Sequence, residues 1–550
     1  MTNKDLANAI FPDITKTIVD YENMYPERNL PEGAKVTRFA PSPTGYLHLG
    51  NFFQAVIDYV LYRNSNGLFY IRLEDTDTKR EVEDADKLVF DTLFHYGIEP
   101  NEYEFRDKLV GSYGPYVQSE RKEIYHTFIK HLIEIGRAYP CFCTKEELDE
   151  LRKHQEERKF RTGYYGRYAK CRVLPIEEQI RKIQNGEEYV IRFKSEGNFD
   201  LKFKTEDLVK GTLELSQNDE DFVIMKSNDK LPTYHFAHLV DDHLMHTTHV
   251  VRGEDWLSSL PKHLELFQAF GFKAPKYVHT PLLVKKDGNS VRKISKRKDP
   301  EASMAFYKDK GYPTDAVIEA LMTIINSNYE EWHTQNPNKK FYEFVYSPKK
   351  MSSSGAFFDL DKLDNISRNI ISKMTKDEVY DNLYVWADEY NKEFASIISK
   401  DVDYTKSILN IEREQKKPRK DYAYYSDIEN QIWYMFNELF DKHEKVYEWG
   451  TISDINEIKN IVNTYFNKYY DKDDDKETWF NKVKELSDEL GYCTDMKAYK
   501  ENPDNYKGSV ADVSTVIRVA VTTRSMTPDL YEILRLLDNN EILRRIELIK

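Results

Sequence analysis

The spacing of apolar and polar positions changes character along the chain, and each change marks an element. Val36-Thr37-Arg38-Phe39-Ala40 reads as a short strand. Pro41-Ser42-Pro43-Thr44-Gly45 stops it, because two prolines and a glycine force a turn. A helical pattern runs from about Gly50 to Asn64, and Leu68 to Leu73 is an apolar run that suits a buried strand. Strand, helix, strand at this spacing is a βαβ unit and implies a parallel sheet. The alternation returns later: Phe222–Met225 and Thr248–Val251 read as strands, Ser258–Phe270 as helix, and Tyr277–His279 and Leu282–Val284 as strands. Between the two halves lie two helical stretches, Ser119–Gly136 and Lys145–Glu157, and a β-rich piece at Tyr189–Phe193. The spacing therefore predicts an α/β fold, a doubly wound parallel sheet with an α+β domain inserted into it. After Lys298 the strand signal fades, and from Lys373 onward the pattern is mostly amphipathic helix. One such helix is expected over Met526–Leu537, started by Pro528, with Leu530, Ile533, Leu534 and Leu537 on its apolar face. The expected boundaries are 1–34 (a polar, helical extension), 35–116, 117–230 (the insertion), 231–298, 299–372 and 373–550.

Length and composition narrow the class. At roughly 100–200 residues per domain, 550 residues make three to five domains. A chain that is 40% hydrophobic and 13% aromatic has ample surface to bury, which excludes a disordered chain. The net charge of −14 argues against binding nucleic acid by bulk charge but leaves room for a local basic track. Apolar stretches such as Ala316–Ile325, broken by Glu319, fall short of the ~20 residues a membrane span needs. The N-terminus lacks the layout of a signal peptide. Four cysteines make no disulfide framework, so a reducing cytoplasm is the expected location. The charged run Asp471–Glu477 is expected as a solvated loop.

Two clusters carry chemistry. The turn from Pro41 to Asn51 ends the first strand and opens the first helix, where ligands sit in an open α/β sheet. Its helix N-terminus suits a phosphate, His48 and Asn51 lie three apart and can both face it, and Gly50 permits close approach of a nucleotide. The alternative is a satisfied capping turn. The second cluster is Lys293-Ile294-Ser295-Lys296-Arg297-Lys298. Lys285 to Lys298 holds seven basic residues against Asp287 alone, a local +6. With Gly288, Asn289 and Ser290 it is expected as a mobile cationic loop suited to a departing pyrophosphate, or else as an ordinary solvated basic loop.

Taken together, these clusters resemble those of the class I aminoacyl-tRNA synthetases, specifically the bacterial glutamyl-tRNA synthetases. His48-Leu49-Gly50-Asn51 is similar to the signature "HIGH", with Asn in its variable last place, and Lys293-Ile294-Ser295-Lys296-Arg297 to "KMSKS". The likeness extends to Arg38–Gly45, to Arg72-Leu73-Glu74-Asp75-Thr76-Asp77, to Leu231–His235 and to Val251-Arg252-Gly253-Glu254-Asp255-Trp256. It covers about Lys35–Ile371 and resumes at Ile517–Thr522 and Pro528–Leu530. The resemblance implies a Rossmann-type catalytic domain over 35–116 and 231–298, an inserted acceptor-binding domain over 117–230, a stem-contact domain over 299–372 and an all-α anticodon-binding region over 373–550. It implies ATP-dependent attachment of L-glutamate to tRNA(Glu) through glutamyl-adenylate, with Mg²⁺ sharing the phosphate charge. His48, Lys293 and Lys296 would be catalytic. His48, Gly50, Asn51, Trp256 and Lys296 would hold ATP. Arg38, Ala40, Ser42, Glu74, Tyr234, His238 and Arg252 would hold glutamate. This fits the chemistry, since two carboxylates want two arginine forks and an ammonium wants an anion. At the ends of strands, Arg and Glu can also serve as internal ion pairs. His238 departs from the pattern, because some relatives have Asn there. Glutaminyl-tRNA synthetase, or an enzyme that also charges tRNA(Gln), is the alternative. A monomer is expected.

Two further features stay open. Cys141, Cys143 and Cys171 resemble a zinc site that some relatives carry, with Tyr164, Tyr165 or Tyr168 available as fourth ligand; reduced structural thiols are the other reading. In the helical tail, Arg413, Lys416, Lys417, Arg419 and Lys420 run into Tyr422, Tyr424 and Tyr425. Basic residues beside aromatics suit a single-stranded RNA loop, and Lys416, Lys417, Arg419 and Lys420 are the expected tRNA contacts; a solvated charged turn is the alternative.

Overall fold

A computed structural model describes residues 1–43, 45–76 and 84–549. Thr44 and Asp77, each part of a motif above, lie outside them. The chain divides into two compact units, Met1–Phe306 with Ile318–Asp359, and Tyr307–Val317 with Leu360–Lys550.

The first unit is built on parallel strands. Val36–Phe39 pairs with Leu68–Ile71 from Val36↔Leu68 to Phe39↔Ile71. The helix Leu49–Arg63 crosses between them and buries Phe52, Phe53, Val56, Ile57 and Val60, so nearly every turn is anchored. His249–Gly253 pairs in parallel with Lys276–Thr280. Their crossover helix, Leu260–Phe270, has a proline in its first turn and ends at Gly271 in the left-handed region. Thr248 stitches the halves together: its amide donates to the Val36 carbonyl at 3.0 Å, and its hydroxyl accepts from the Val36 amide at 2.8 Å. Val36–Phe39 therefore lies centrally, with Leu68–Ile71 on one side and His249–Gly253 on the other.

The insertion carries its own antiparallel sheet, Ala138–Cys141, Val190–Phe193 and Val223–Met225. The Phe222–Met225 strand thus belongs to the insertion and not to the parallel sheet, because Met225 pairs antiparallel with Ile191. The helix expected over Ser119–Gly136 opens as a 3₁₀ turn at Gln118–Arg121 and becomes α-helical over Lys122–Glu134. A hairpin of Lys202–Asp207 and Gly211–Ser216 was not read from the sequence: its apolar face is short, Phe203, Leu213 and Leu215 beside Thr205, and the other face is polar. The N-terminal extension forms two short helices, each opened by a capping box, Thr2 with Asp5 and Thr17 with Asp20. It is an integral part of this unit: Leu6, Ala7, Tyr21 and Tyr25 are buried, and Arg28 makes a two-pronged ion pair with Glu102.

The second unit is helical, from Leu360–Lys373 to Asn539–Glu547. The helix expected over Met526–Leu537 spans only Leu530–Leu536. Asp529 caps it by accepting from the Glu532 amide, which leaves Pro528 outside the first turn. Asp471–Glu477 is a loop only as far as Asp475, whose carboxylate starts the helix Lys476–Glu489. Among the described residues, no helix is long and apolar enough to cross a membrane.

Candidate functional site

The C-terminal ends of the parallel strands open into a cleft of about 1000 Å³. Arg38, Ala40, Ser42, Glu74, Tyr234, Arg252 and Trp256 all line it, so residues scattered over more than two hundred positions share one wall. Asn51 and Asp255 also line it, and both recur in a neighbouring cavity of about 180 Å³ with His48, Gly50 and Lys293. The two cavities therefore adjoin along the turn that opens the first helix.

His48 is the N-cap of that helix, and its Nδ1 accepts from the Gly50 amide at 2.9 Å. A ring nitrogen that accepts has no proton, so the neutral ring carries its hydrogen on Nε2. Burial, then Lys296 and Lys293, push the His48 pKa down to about 4, which keeps it neutral. Gly50 serves this ring directly: a Cβ there would sit 3.1 Å from His48 Nδ1.

The basic segment is more ordered than expected of a loop. Leu283–Asp287 and Ser290–Lys293 form an antiparallel hairpin, with Gly288 at φ +61° in its turn. Arg292 grips both oxygens of Asp299 at 2.6 and 2.7 Å, the Ser295 amide donates to the same carboxylate at 2.9 Å, and Ile294 is buried. These contacts fix the base of the turn and leave Lys293 and Lys296 exposed. Lys296 reaches across to the Tyr46 carbonyl, and the Met304 amide donates to the Leu47 carbonyl at 3.0 Å. The two motifs thus touch.

The amino-acid end is set in a buried ionic network that motif reading missed. Arg38 Nε lies 3.3 Å from Asp242, and its Nη1 donates to the Val251 carbonyl at 3.2 Å. Arg72, fully buried, donates to Asp242 at 2.8 Å and to Glu74 at 3.0 Å. Arg121 and Tyr125 both donate to Asp241, at 2.7 and 2.8 Å, and Gln118 joins Asp241 to Glu74. Burial drives the Asp242 carboxyl up, but Arg72 and Arg38 outweigh it and hold it well below the carboxylate range. Glu74 moves the other way, raised by burial in spite of Arg72. The signal for Asp241 and Asp242 was their adjacency inside the otherwise apolar helix Tyr234–Leu244. His238 sits behind the wall: it is fully buried, stacks on Tyr234, and lies 2.5 Å from Asp242.

In the insertion, the sulfurs of Cys141, Cys143 and Cys171 lie within 4.8 Å of one another. The Tyr164 hydroxyl is 3.6 Å from Cys141 and 3.3 Å from Cys143, and accepts from the Cys171 amide at 3.0 Å. Three thiols and one phenol oxygen around one point fit the four-coordinate donor set of a structural zinc site. Of the three tyrosines considered, Tyr164 is the one whose hydroxyl reaches the thiols.

In the helical unit the basic stretch separates into two kinds of residue. Arg413 is buried and donates to the carbonyls of Leu409 and Ile371, so it closes helix ends. Tyr422 and Tyr425 are buried in the helical core, and Tyr424 packs on Tyr312. Tyr422 and Tyr425 therefore offer no stacking face. Arg419 is paired with Asp421 and Glu412. Lys416, Lys417 and Lys420 are exposed.

Residues 35–365 match the family model described as tRNA synthetases class I (E and Q), catalytic domain, and residues 419–549 match an anticodon binding domain. The glutamate–tRNA ligase of Clostridium perfringens is 47% identical over 548 residues, covering 99% of this chain and 100% of that one. That of Acetivibrio thermocellus is also 47% identical over 548 residues, covering both chains fully. A crystal structure of a glutamate tRNA ligase from Elizabethkingia meningosepticum in complex with its amino acid has a TM-score of 0.72 at 24% identity, covering 94% of this chain and 100% of that one, and shares the fold.

Proposed function

The chain belongs to the glutamate–tRNA ligases, in the glutamate and glutamine branch of the class I tRNA synthetases, and on that premise we propose how its residues attach L-glutamate to tRNA(Glu) at the expense of ATP. The observation that carries the reading is the junction of the two cavities at Asn51 and Asp255. One side presents neutral His48 and cationic Lys293, which suits a polyphosphate. The other presents Arg38, Arg252 and Glu74, which suits a dicarboxylic amino acid.

Glutamate lies in the larger cleft with its side-chain carboxylate toward the buried arginines. Glu74 faces the α-ammonium, and Tyr234, Ser42 and the Ala40 backbone line its path. The α-carboxylate then points at the α-phosphate of ATP. One of its oxygens attacks phosphorus, the bond to the bridging oxygen breaks, and diphosphate leaves with the electron pair. The product is the mixed anhydride glutamyl-adenylate. The terminal ribose hydroxyl of the tRNA next attacks the anhydride carbonyl and AMP departs. His48 Nε2–H donates to a phosphate oxygen, while Lys293 and Lys296 meet the charge that builds on diphosphate. Gly50, Asn51 and Trp256 border the nucleotide. Mg²⁺ arrives with the phosphates as part of that substrate. His238 acts from behind Tyr234, not by touching the amino acid.

The inserted domain meets the acceptor end, residues 299–372 the stem and the helical region the anticodon. Lys416, Lys417 and Lys420 neutralise phosphates, and Arg419 shapes their loop through Glu412 and Asp421. Cys141, Cys143, Cys171 and Tyr164 would hold zinc, which when bound cross-links the insertion and takes no part in the reaction. Cysteines kept as thiols or metal ligands suit a cytoplasmic enzyme, and we take it to act as a monomer.

Glutamate-dependent exchange of pyrophosphate into ATP, measured at saturating tRNA, tests the reading. Exchange with glutamate and little with glutamine is expected, because an amide leaves an arginine fork without its charged partner. Exchange with glutamine and little with glutamate would favour the glutamine-specific alternative, glutamate-dependent exchange supported equally by tRNA(Gln) would favour an enzyme that also charges that tRNA, and none with either amino acid would exclude activation.

A further inference from the structure

Arg252 differs from the other buried arginines near the cleft in what holds it. Arg38, Arg72 and Arg121 are each paired with an aspartate. Arg252 is 3% exposed, and among the described residues no carboxylate pairs with it. Its Nε instead donates to His279 Nε2 at 3.0 Å and its Nη1 to His263 Nδ1 at 2.9 Å. Its Nη2 is buried with no hydrogen-bond partner.

The guanidinium is always protonated, so both imidazoles must accept from it. That settles where their protons sit. His279 carries its hydrogen on Nδ1 and donates to Asp207 at 2.7 Å. His263 carries its hydrogen on Nε2 and donates to His235 Nδ1 at 2.9 Å. Asp207 enforces the first assignment. The oxygen facing the ring also accepts from the His279 amide at 3.1 Å, and the other accepts from the amides of Val209 and Lys210 at 2.9 and 2.8 Å, so donors surround this carboxylate and it acts as an acceptor only. Burial lowers the pKa of His279 and holds that of His263 well below its ordinary value, in keeping with neutral rings.

Neutral acceptors orient a cation without cancelling its charge. A carboxylate in the same place would have orientated it equally well and consumed the charge. We propose that His279, fixed in one tautomer by Asp207, and His263 are positioning residues that aim Arg252 at the side-chain carboxylate of glutamate while leaving its charge and Nη2 free for that ligand. This deepens the reading of Arg252 given above and rests on it.

Steady-state kinetics at saturating tRNA, with glutamate and ATP varied separately, test the proposal. His279→Leu and His263→Leu should each raise the glutamate KM roughly 10- to 100-fold, the loss expected for one misdirected charge-assisted hydrogen bond, with the ATP KM near the parent's. His279→Gln should recover most of the loss, since its Oε1 reaches where Nε2 accepted. Asp207→Asn is nearly isosteric. With its oxygen held by the amides of Val209 and Lys210, its amide nitrogen faces the His279 ring and the His279 backbone amide, both of which lose their acceptor, and the ring proton moves to Nε2 against Arg252. It should therefore resemble His279→Leu, raising the glutamate KM while the ATP KM stays near the parent's. A purely structural role predicts the reverse: ATP and glutamate KM rising together, and no rescue by Gln. Arg252→Ala separates the layers. If it costs glutamate affinity while Asp207→Asn, His279→Gln and the folded leucine variants all behave as the parent, the positioning device is overturned and the reading of Arg252 stands. If Arg252→Ala leaves the glutamate KM unchanged, both fall.

Discussion

Lys296 and Arg38 are both cations at the cleft, but their surroundings assign them to different moments of the reaction. Lys296 is exposed and donates to the Tyr46 carbonyl, a single surface contact among the described residues, so it can follow a moving charge. Arg38 is 3% exposed and fixed by Asp242 and the Val251 carbonyl, so it can only hold what comes to it. Lys296→Ala should lower the rate of adenylate formation by about 10²–10³, the usual cost of one contact to charge developing in the transition state, with little change in glutamate affinity. Arg38→Ala should raise the glutamate KM far more than the ATP KM. Single-turnover activation at the parental rate would refute the first, and equal losses for both substrates would mean that Arg38 holds the fold. The site was half legible in the sequence for a physical reason. Residues that line the cleft, such as Arg38, Glu74 and Arg252, sit in recognisable motifs at strand ends. Those that meet only other side chains, such as Asp242, Asp207 and His279, have no spacing rule, because tertiary packing alone brings them together.

At the scale of elements, period carried the reading and composition misled it. The βαβ unit of Val36–Ile71 was readable because its apolar positions follow strand and helix periods. The hairpin over Lys202–Ser216 was not, since its apolar face holds only Phe203, Leu213 and Leu215, too few to set a period against the charged residues between them. The stretch from Arg413 to Tyr425 shows the error most clearly. Basic and aromatic residues adjacent in sequence suggested one RNA-binding surface, yet Arg413, Tyr422 and Tyr425 turn inward and the lysines outward. The prediction for this loop narrows accordingly. Replacing Lys416, Lys417 and Lys420 by Ala together should weaken tRNA binding and flatten its salt dependence, because fewer counterions are released. Saturating tRNA should restore activation, since the lysines lie outside the catalytic cleft. Arg419→Ala should lower thermal stability as well, as Glu412 and Asp421 lose their shared partner. tRNA KM values for the triple variant and the parent that overlap at two ionic strengths would leave the loop a solvated turn.

The whole molecule distributes its titratable groups unevenly, and this sets how it should fail in acid. Of its fourteen histidines, all but His443 lie in the first unit. Burial pushes His48, His235, His238 and His249 each down to about 4, and holds His263 well below its ordinary value. In the unfolded chain these rings titrate near 6.5. Folded pKa values below the unfolded ones mean that the unfolded state binds more protons, so stability is full above about pH 6.5 and falls as pH drops toward 4. Asp58, Glu74 and Asp221 work the other way: burial raises their carboxyls, so their proton uptake offsets part of the loss caused by the histidines. The second unit holds a single histidine and has no such cluster to protonate over that window. Lowering the pH from 7.5 to 5.5 should therefore bring down the unfolding transition of the first unit, while that of the second moves little. Hydrogen exchange read peptide by peptide during heating, at each pH, assigns the transitions to the units. Parallel losses in both units, or earlier opening of the helical one, would mean that the buried histidines do not govern acid stability.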